Sequence, residues 1–167
     1  MEVSVEQIKT LRARTSVGIM DCKRALEEAA GDLDKAESIL KAAGLAAAVK
    51  RASRETREGL VEAYIHPGAR LGALVEIGCE TDFVARTEEL KTLAHDLAMQ
   101  VAAMAPQYIR DEEVEDGENR PSEEICLPKQ TFIKDPSRRV EELVQETISK
   151  VGENIRINRF SRFALGE

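Results

Sequence analysis

The sequence predicts an α+β protein: a three-helix bundle at the N-terminus, then a core of antiparallel sheet, hairpin plus C-terminal strand, covered by helices. Three observations carry this. Apolar residues recur at helical spacing through the first 45 or so positions, the period drops to two at Gly59, and helical spacing returns beyond Thr87. The chain divides accordingly into a bundle over 1–45, a basic linker over 46–58 and an α+β core over 59–167, with an acidic loop at about 110–125.

Ser4 and Gln7 have capping-box spacing, and Val5, Ile8 and Leu11 then follow one helical face until Thr15-Ser16-Val17-Gly18 interrupts. Ile19, Cys22, Leu26 and Ala29 stripe a second helix that Gly31 can end in the left-handed conformation. Asp32 can cap a third, striped by Leu33, Ala36, Ile39, Leu40 and Ala43 and ended at Gly44. Helices this short do not persist alone, so they must pack on each other. Lys50, Arg51, Arg54 and Arg57 then suit either a solvated helical linker or a phosphate-contacting strip.

Val61, Ala63 and Ile65 alternate with Glu62 and Tyr64, His66-Pro67-Gly68-Ala69-Arg70 supplies turn chemistry, and Leu71, Ala73, Val75, Ile77 and Cys79 alternate again. This predicts a hairpin with one apolar face. Thr87 can cap a long helix striped by Leu90, Leu93, Ala94, Leu97, Ala98 and Val101 and stopped by Pro106. Asp135-Pro136 is expected to start another, striped by Val140, Leu143, Val144, Ile148 and Val151 and closed by Gly152. Asn154 to Leu165 predicts a final strand, which should join the hairpin because two strands alone are marginal. In simple alternation Ile155 and Ile157 share a face with Phe163 and Leu165 while Phe160 falls opposite; a bulge explains this, as does burial of both faces by another subunit.

The 167 residues need no covalent staple to bury a core. The net charge of −7 argues against a surface that tracks a nucleic-acid backbone throughout. The charge is uneven: 1–57 and 125–167 each carry +2, whereas 58–109 carries −5 and 110–124 carries −6. Cys22, Cys79 and Cys126 are odd in number and widely spaced, which favours reduced packing residues over a disulfide framework or zinc site. With no apolar run of the roughly 18 to 20 residues a membrane span needs, and no signal-peptide pattern, the expected home is the cytoplasm.

Catalytic constellations are not apparent. His66 and His95 belong to no metal-ligand spacing, no phosphate-cradling glycine loop is present, and Glu76, Glu80 and Asp82 suit a solvated edge better than an acid–base pair. The expectation is a protein that is not an enzyme and holds no cofactor or metal. The unusual feature is Thr81-Asp82-Phe83-Val84, where Phe83 and Val84 put apolar side chains into a connection that ought to be polar. Phe83 either folds back under the following helix or projects as a wedge for a partner's pocket, where such an anchor can carry roughly 2 to 4 kcal/mol.

Two long segments are recognisable. Leu11-Arg12-Ala13-Arg14-Thr15-Ser16-Val17-Gly18-Ile19-Met20-Asp21-Cys22-Lys23-Arg24-Ala25-Leu26 resembles a signature of the elongation factor Ts family, as does Leu74-Val75-Glu76-Ile77-Gly78-Cys79-Glu80-Thr81-Asp82-Phe83-Val84-Ala85-Arg86. Val151-Gly152-Glu153-Asn154-Ile155-Arg156-Ile157 is similar to a third family segment. The resemblance implies a guanine nucleotide exchange factor for elongation factor Tu in translation elongation. By the same resemblance the bundle is ubiquitin-associated-like and docks on the GTPase through Arg14, Val17, Gly18, Met20 and Lys23. Thr81, Asp82, Phe83 and Val84 would dislodge the magnesium ion bound with GDP. The partner is then the GDP form of elongation factor Tu, with neither membrane nor direct nucleic-acid contact expected. Longer family members carry a second core subdomain, whereas here the acidic stretch alone separates the two core helices; this resembles the short form, in which a homodimer supplies the missing half in a two-plus-two complex.

A competing expectation is an RNA-binding module built on Arg156, Arg159, Arg162, Phe160 and Phe163, although plain alternation separates Arg159 from the other two arginines. A hydrolase using Glu76, Glu80 and Asp82 is the third.

Overall fold

A computed structural model describes residues 3–167. In chain order the elements are α1 (Val5–Thr15), α2 (Ile19–Glu28), α3 (Leu33–Arg51), β1 (Glu58–Ile65), β2 (Leu71–Cys79), α4 (Asp82–Ala85), α5 (Glu88–Met104), α6 (Ser122–Ile125), β3 (Thr131–Phe132), β4 (Asp135–Arg139), α7 (Val140–Val151) and β5 (Ile155–Ala164).

The bundle forms as its caps and stripes predict. The Ser4 hydroxyl accepts the Gln7 backbone N–H at 3.1 Å while the Gln7 side-chain Oε1 accepts the Ser4 N–H at 2.9 Å, so the predicted capping box is reciprocal. Asp32 caps α3 by accepting the N–H groups of Asp34 and Lys35. Leu11, Cys22, Ala25, Leu26, Ala29, Ala36 and Leu40 make a small core of their own. Val5 and Ile19, expected on the buried stripes, are exposed instead.

Gly44 does not end the third helix. The chain stays helical to Arg51, as the alanines at 46–48 favour, so the first half of the expected linker extends α3. Gly44 marks instead the close crossing of α3 and α7: a Cβ there would lie 2.6 Å from Ser149 Oγ. Among the basic residues beyond it, Arg54 pairs with Glu80 and Arg57 with Glu55.

The hairpin and the C-terminal strand form one antiparallel sheet in the order β1-β2-β5. Ala73, Val75, Ile77 and Cys79 of the central strand are buried against Leu90, Leu93, Ala94, Leu97, Ala98 and Val101 of α5, and the same core holds Val140 and Ile148 of α7. The predicted inward face of β1 is reversed. Leu60, Glu62 and Tyr64 pair across from Ile77, Val75 and Ala73 and so face the helices, leaving Val61 and Ile65 more than 60% exposed on the outer side. Both faces of β1 are apolar enough that alternation alone cannot choose between them.

Asp135-Pro136 does not begin the last helix. Asp135 accepts the Ser137 N–H, and the segment pairs with Thr131 and Phe132 as β4; α7 starts at Val140, where the Glu142 carboxylate accepts the Arg139 N–H. The predicted stop is observed, with Gly152 at φ 77°. The acidic connection is largely exposed through residue 121, as expected, but its far end turns inward and buries Ile125 and Cys126. Gln100 and Gln130, both buried, pin it: Gln100 donates to the Gln130 side-chain carbonyl at 3.1 Å, and Gln130 donates to the Glu124 carbonyl at 2.7 Å. All three cysteines are free and buried, and no helix among the described residues is long and apolar enough to cross a membrane.

Of the two explanations for Phe160, the bulge is the one observed. The pairing of β2 with β5 shifts between Glu76 and Ile77, opposite Arg159 and Ile157, so Asn158 is the extra residue. Beyond it the faces exchange: Phe160 joins Ile155 and Ile157 against the core, while Phe163 and Leu165 turn outward, each about 70% exposed.

Candidate functional site

The end of β2 is followed by a single helical turn, α4, before α5 begins. Thr81 caps that turn, its hydroxyl accepting the Val84 N–H at 3.4 Å. Thr87 donates its hydroxyl to the Val84 carbonyl at 2.8 Å and caps α5 through the Leu90 N–H. Between these caps Val84 is 4% exposed and belongs to the core, whereas Phe83 is 77% exposed. The fold-back of Phe83 beneath the helix is thereby excluded. One apolar residue of the pair anchors the turn and the other projects from it. Asp82 lies outside as well, its carboxylate 2.6 Å from the Arg86 guanidinium.

The turn is also held from the far end of the chain. Glu153, just past α7, accepts the N–H groups of Glu80 and Thr81 and the Thr81 hydroxyl. Below it the Cys79 thiol donates to the Thr81 carbonyl at 3.1 Å, and burial together with the Glu153 charge pushes that thiol up to about 11 from 9.0. The sign gives a test. The folded state holds the proton more tightly, so Cys79's contribution to stability is complete below pH 9 and declines as the pH rises toward about 11. Denaturant midpoints measured across that range should fall for the wild type, and should fall less steeply for Cys79→Ala.

The bundle presents a second projecting element at the α1–α2 connection. Gly18 is the N-cap of α2, Val17 is half-buried on the bundle core, and Ile19 and Met20 are 54% and 66% exposed. Lys23 lies one turn on, 3.7 Å from Glu27. Arg14 is turned toward α3, at 3.1 Å from Asp34 and 3.7 Å from Glu37. Ile19 was not among the predicted contact residues because its spacing matches the buried stripe.

The carboxylates considered for hydrolysis do not converge on a shared position. Glu76 accepts from Arg159 and Asn158, which hold it below the usual range; Glu80 accepts the Asn154 N–H; Asp82 pairs with Arg86. The arginines of β5 are divided differently from plain alternation. The bulge puts Arg156 and Arg159 on one face, opposite Gly78 and Glu76, and Arg162 on the other, where it donates to the Ala102 carbonyl at 2.9 Å. Arg156 donates to the Ala52 carbonyl. Each is engaged within the fold, Arg159 by Glu76 at 2.6 Å, and with Arg162 and Phe160 on the core side the five residues do not form one platform. No group of three or more His, Cys, Asp or Glu among the described residues could hold a metal ion.

Two projecting apolar elements, one on a helical bundle and one on a capped turn of an α+β core, are features of the kind by which one protein grips another. A family model for elongation factor Ts matches residues 33–123. Elongation factor Ts of Carboxydothermus hydrogenoformans is 48% identical across 99% of this chain and 90% of its own length. That of Thermotoga neapolitana is 45% identical across 100% and 99%, and that of Herpetosiphon aurantiacus 44% across 99% and 99%. The chain belongs to the elongation factor Ts family. The Thermotoga alignment runs over 195 positions against 167 residues here, so that relative carries a stretch this chain does not have.

Proposed function

We propose that this protein is a guanine nucleotide exchange factor for elongation factor Tu, acting in the cytoplasm during translation elongation and performing no chemistry of its own. It binds the GDP form, sets the turn Thr81–Val84 into the GTPase, displaces the magnesium ion held with the nucleotide and lets GDP leave so that GTP can bind. The observation that carries this reading is Phe83, an exposed phenyl ring on a turn anchored beneath by Val84.

Magnesium neutralises phosphate charge and demands near-octahedral oxygen ligation, so a small displacement of the elements bearing its ligands loosens GDP strongly. Phe83 supplies the displacement and Asp82 redirects a hydrogen bond near the ion; neither touches the nucleotide. A loosening of roughly 10⁴-fold needs about 5.5 kcal/mol of differential binding, beyond a single aromatic anchor. The bundle supplies the remainder through Arg14, Val17, Gly18, Met20 and Lys23, with Ile19 added from its exposure. By reciprocity GDP weakens the factor's grip as much as the factor weakens GDP, so the exchange is reversible and driven by GTP supply. The active assembly is a homodimer carrying one GTPase per chain, supported by an apolar outer sheet face.

The test is release of a fluorescent GDP from elongation factor Tu on chasing with unlabelled nucleotide. Micromolar factor is expected to accelerate release steeply and saturably. Release that keeps its spontaneous rate at that concentration removes the reading.

A further inference from the structure

The connection between α7 and β5 reaches the projecting turn from 72 residues away in sequence. Glu153 Oε2 accepts the Glu80 N–H at 3.1 Å and the Thr81 N–H at 3.0 Å, and its Oε1 accepts the Thr81 hydroxyl at 2.7 Å. The grip is reciprocal: Glu80 Oε1 accepts the Asn154 N–H at 2.7 Å and lies 3.4 Å from the Arg54 guanidinium. Asn154, 2% exposed, donates from Nδ2 to the Arg54 carbonyl at 2.8 Å and to the Ala52 carbonyl at 3.4 Å. Ala52 is the C-cap of α3. Three separate chain segments therefore meet where the Phe83 turn departs: the tail of the bundle's third helix, the end of the central strand, and the start of the last strand.

We infer that Glu153, with Asn154, is a positioning residue that fixes the direction in which the Phe83 turn projects and ties that turn to the end of α3. This rests on the exchange reading above. A four-residue helical turn held by one buried valine could swing about that anchor. The Glu153 carboxylate removes this freedom because its three donors come from two consecutive residues, fixing the peptide plane from which the turn departs. Bonds to an ionised acceptor are the stronger kind, and a network in which every member is satisfied is stiff. Stiffness matters here because a wedge moves its target only if its own support yields less, and misplacement by about 1 Å can cost on the order of 10²-fold in rate. The link to Ala52 and Arg54 adds a second consequence, since the bundle and the wedge then move as one body when the factor docks.

The experiment uses the full chain with Glu153→Ala and Glu153→Gln beside the wild type, measuring GDP release from elongation factor Tu across factor concentrations. Expected is a maximal rate lowered by about 10- to 100-fold in the alanine variant, and by less in the glutamine variant, which keeps one carbonyl oxygen for Thr81. The half-saturating concentration should stay within about 3-fold, because the bundle contact is untouched. Amide exchange in the variants should show loss of protection at Glu80 and Thr81 with the sheet amides still protected, which separates a released turn from a damaged fold. If the alanine variant does not fold, the glutamine variant carries the same comparison. A folded variant with the wild-type maximal rate overturns the inference and leaves the exchange reading standing. A raised half-saturating concentration with an unchanged maximal rate also overturns it, assigning Glu153 to docking alone. If the wild type itself fails to accelerate release, both fall.

Discussion

Phe83→Ala is expected to slow GDP release at saturating factor by about 30- to 1000-fold while leaving the protein as stable as before. The two halves of that expectation come from the same number. At 77% exposure the phenyl ring contributes little to the folded core, and substitutions at such positions usually change stability by no more than about 0.5 kcal/mol. In the proposed complex its energy comes from burial in the GTPase, and truncating an aromatic anchor of that kind costs roughly 2 to 4 kcal/mol, with 1.4 kcal/mol per tenfold. A wedge that acts on the state in which GDP is leaving places the loss in the maximal rate rather than in the concentration for half-saturation. A stopped-flow titration beside a thermal melt reads both. Release at the wild-type rate from the alanine variant rules out the wedge.

Val84 is the internal comparison. It is the next residue along the chain and 4% exposed, so Val84→Ala acts first on the fold, by cavity formation at the edge of the α5–sheet core. The adjacent residues separate presentation of the wedge from support of it. Sequence alone could not divide these roles, because both residues are apolar and both sit in the same break between a strand and a helix.

How far the rest was legible depends on whether the signal was local. The capping box at Ser4, the long α5 stripe, the turn at 66–70 and the stop at Gly152 are decided by residues within a few positions of one another, and all appear where the sequence places them. The helix runs through Gly44 for a reason that lies on another element: glycine there permits α7 to approach α3, and no residue near Gly44 announces Ser149. The inward face of β1 failed for a related cause, since both of its faces are apolar and only the pairing with β2 selects between them. Asp135-Pro136 offered a helix start that was overridden by pairing with Thr131 and Phe132. The buried pair Gln100 and Gln130 left no trace, because a glutamine on a helix usually marks a solvated face, and here its amide instead meets the Gln130 side chain and the Thr131 carbonyl.

The site shows the same division. Phe83 was conspicuous as a rare aromatic in a place that should have been polar, although its projection had to be seen. Glu153 was not conspicuous at all. A single acidic residue after a helix end is ordinary, and its three donors lie more than 70 residues away. Glu153 itself entered only through the resemblance of its segment, and the hydrogen bonds supply a physical reason for a carboxylate there.

Leu74→Glu is expected to disrupt the proposed homodimer without unfolding the chain. Val61, Ile65, Leu74, Phe163 and Leu165 lie on the outer face of the sheet with exposures between 45 and 70%, so an apolar group beside the Glu76–Arg159 pair is uncovered within the chain. Isolated exposed apolar residues are common, but a contiguous group of them marks a contact surface. A second copy is a suitable cover because a twofold interface uses the same patch on both chains, so the apolar character of the face is matched by its own image. The bulge at Asn158 is what builds the patch: without it Phe163 and Leu165 would face the helices, and Phe160 would face out. Leu74 is on the central strand, and in a twofold contact each substitution acts twice, placing two unpaired carboxylates in one apolar interface. Since Leu74 already contacts solvent in the single chain, glutamate there has little to disturb in the monomer fold. Light scattering on the wild type should therefore give twice the chain mass of 18.5 kDa and on the variant a single chain mass, with unchanged helix content. A wild type that remains a single chain at concentrations of tens of micromolar would remove the dimer, and with it the idea that pairing supplies the second core subdomain that longer family members carry.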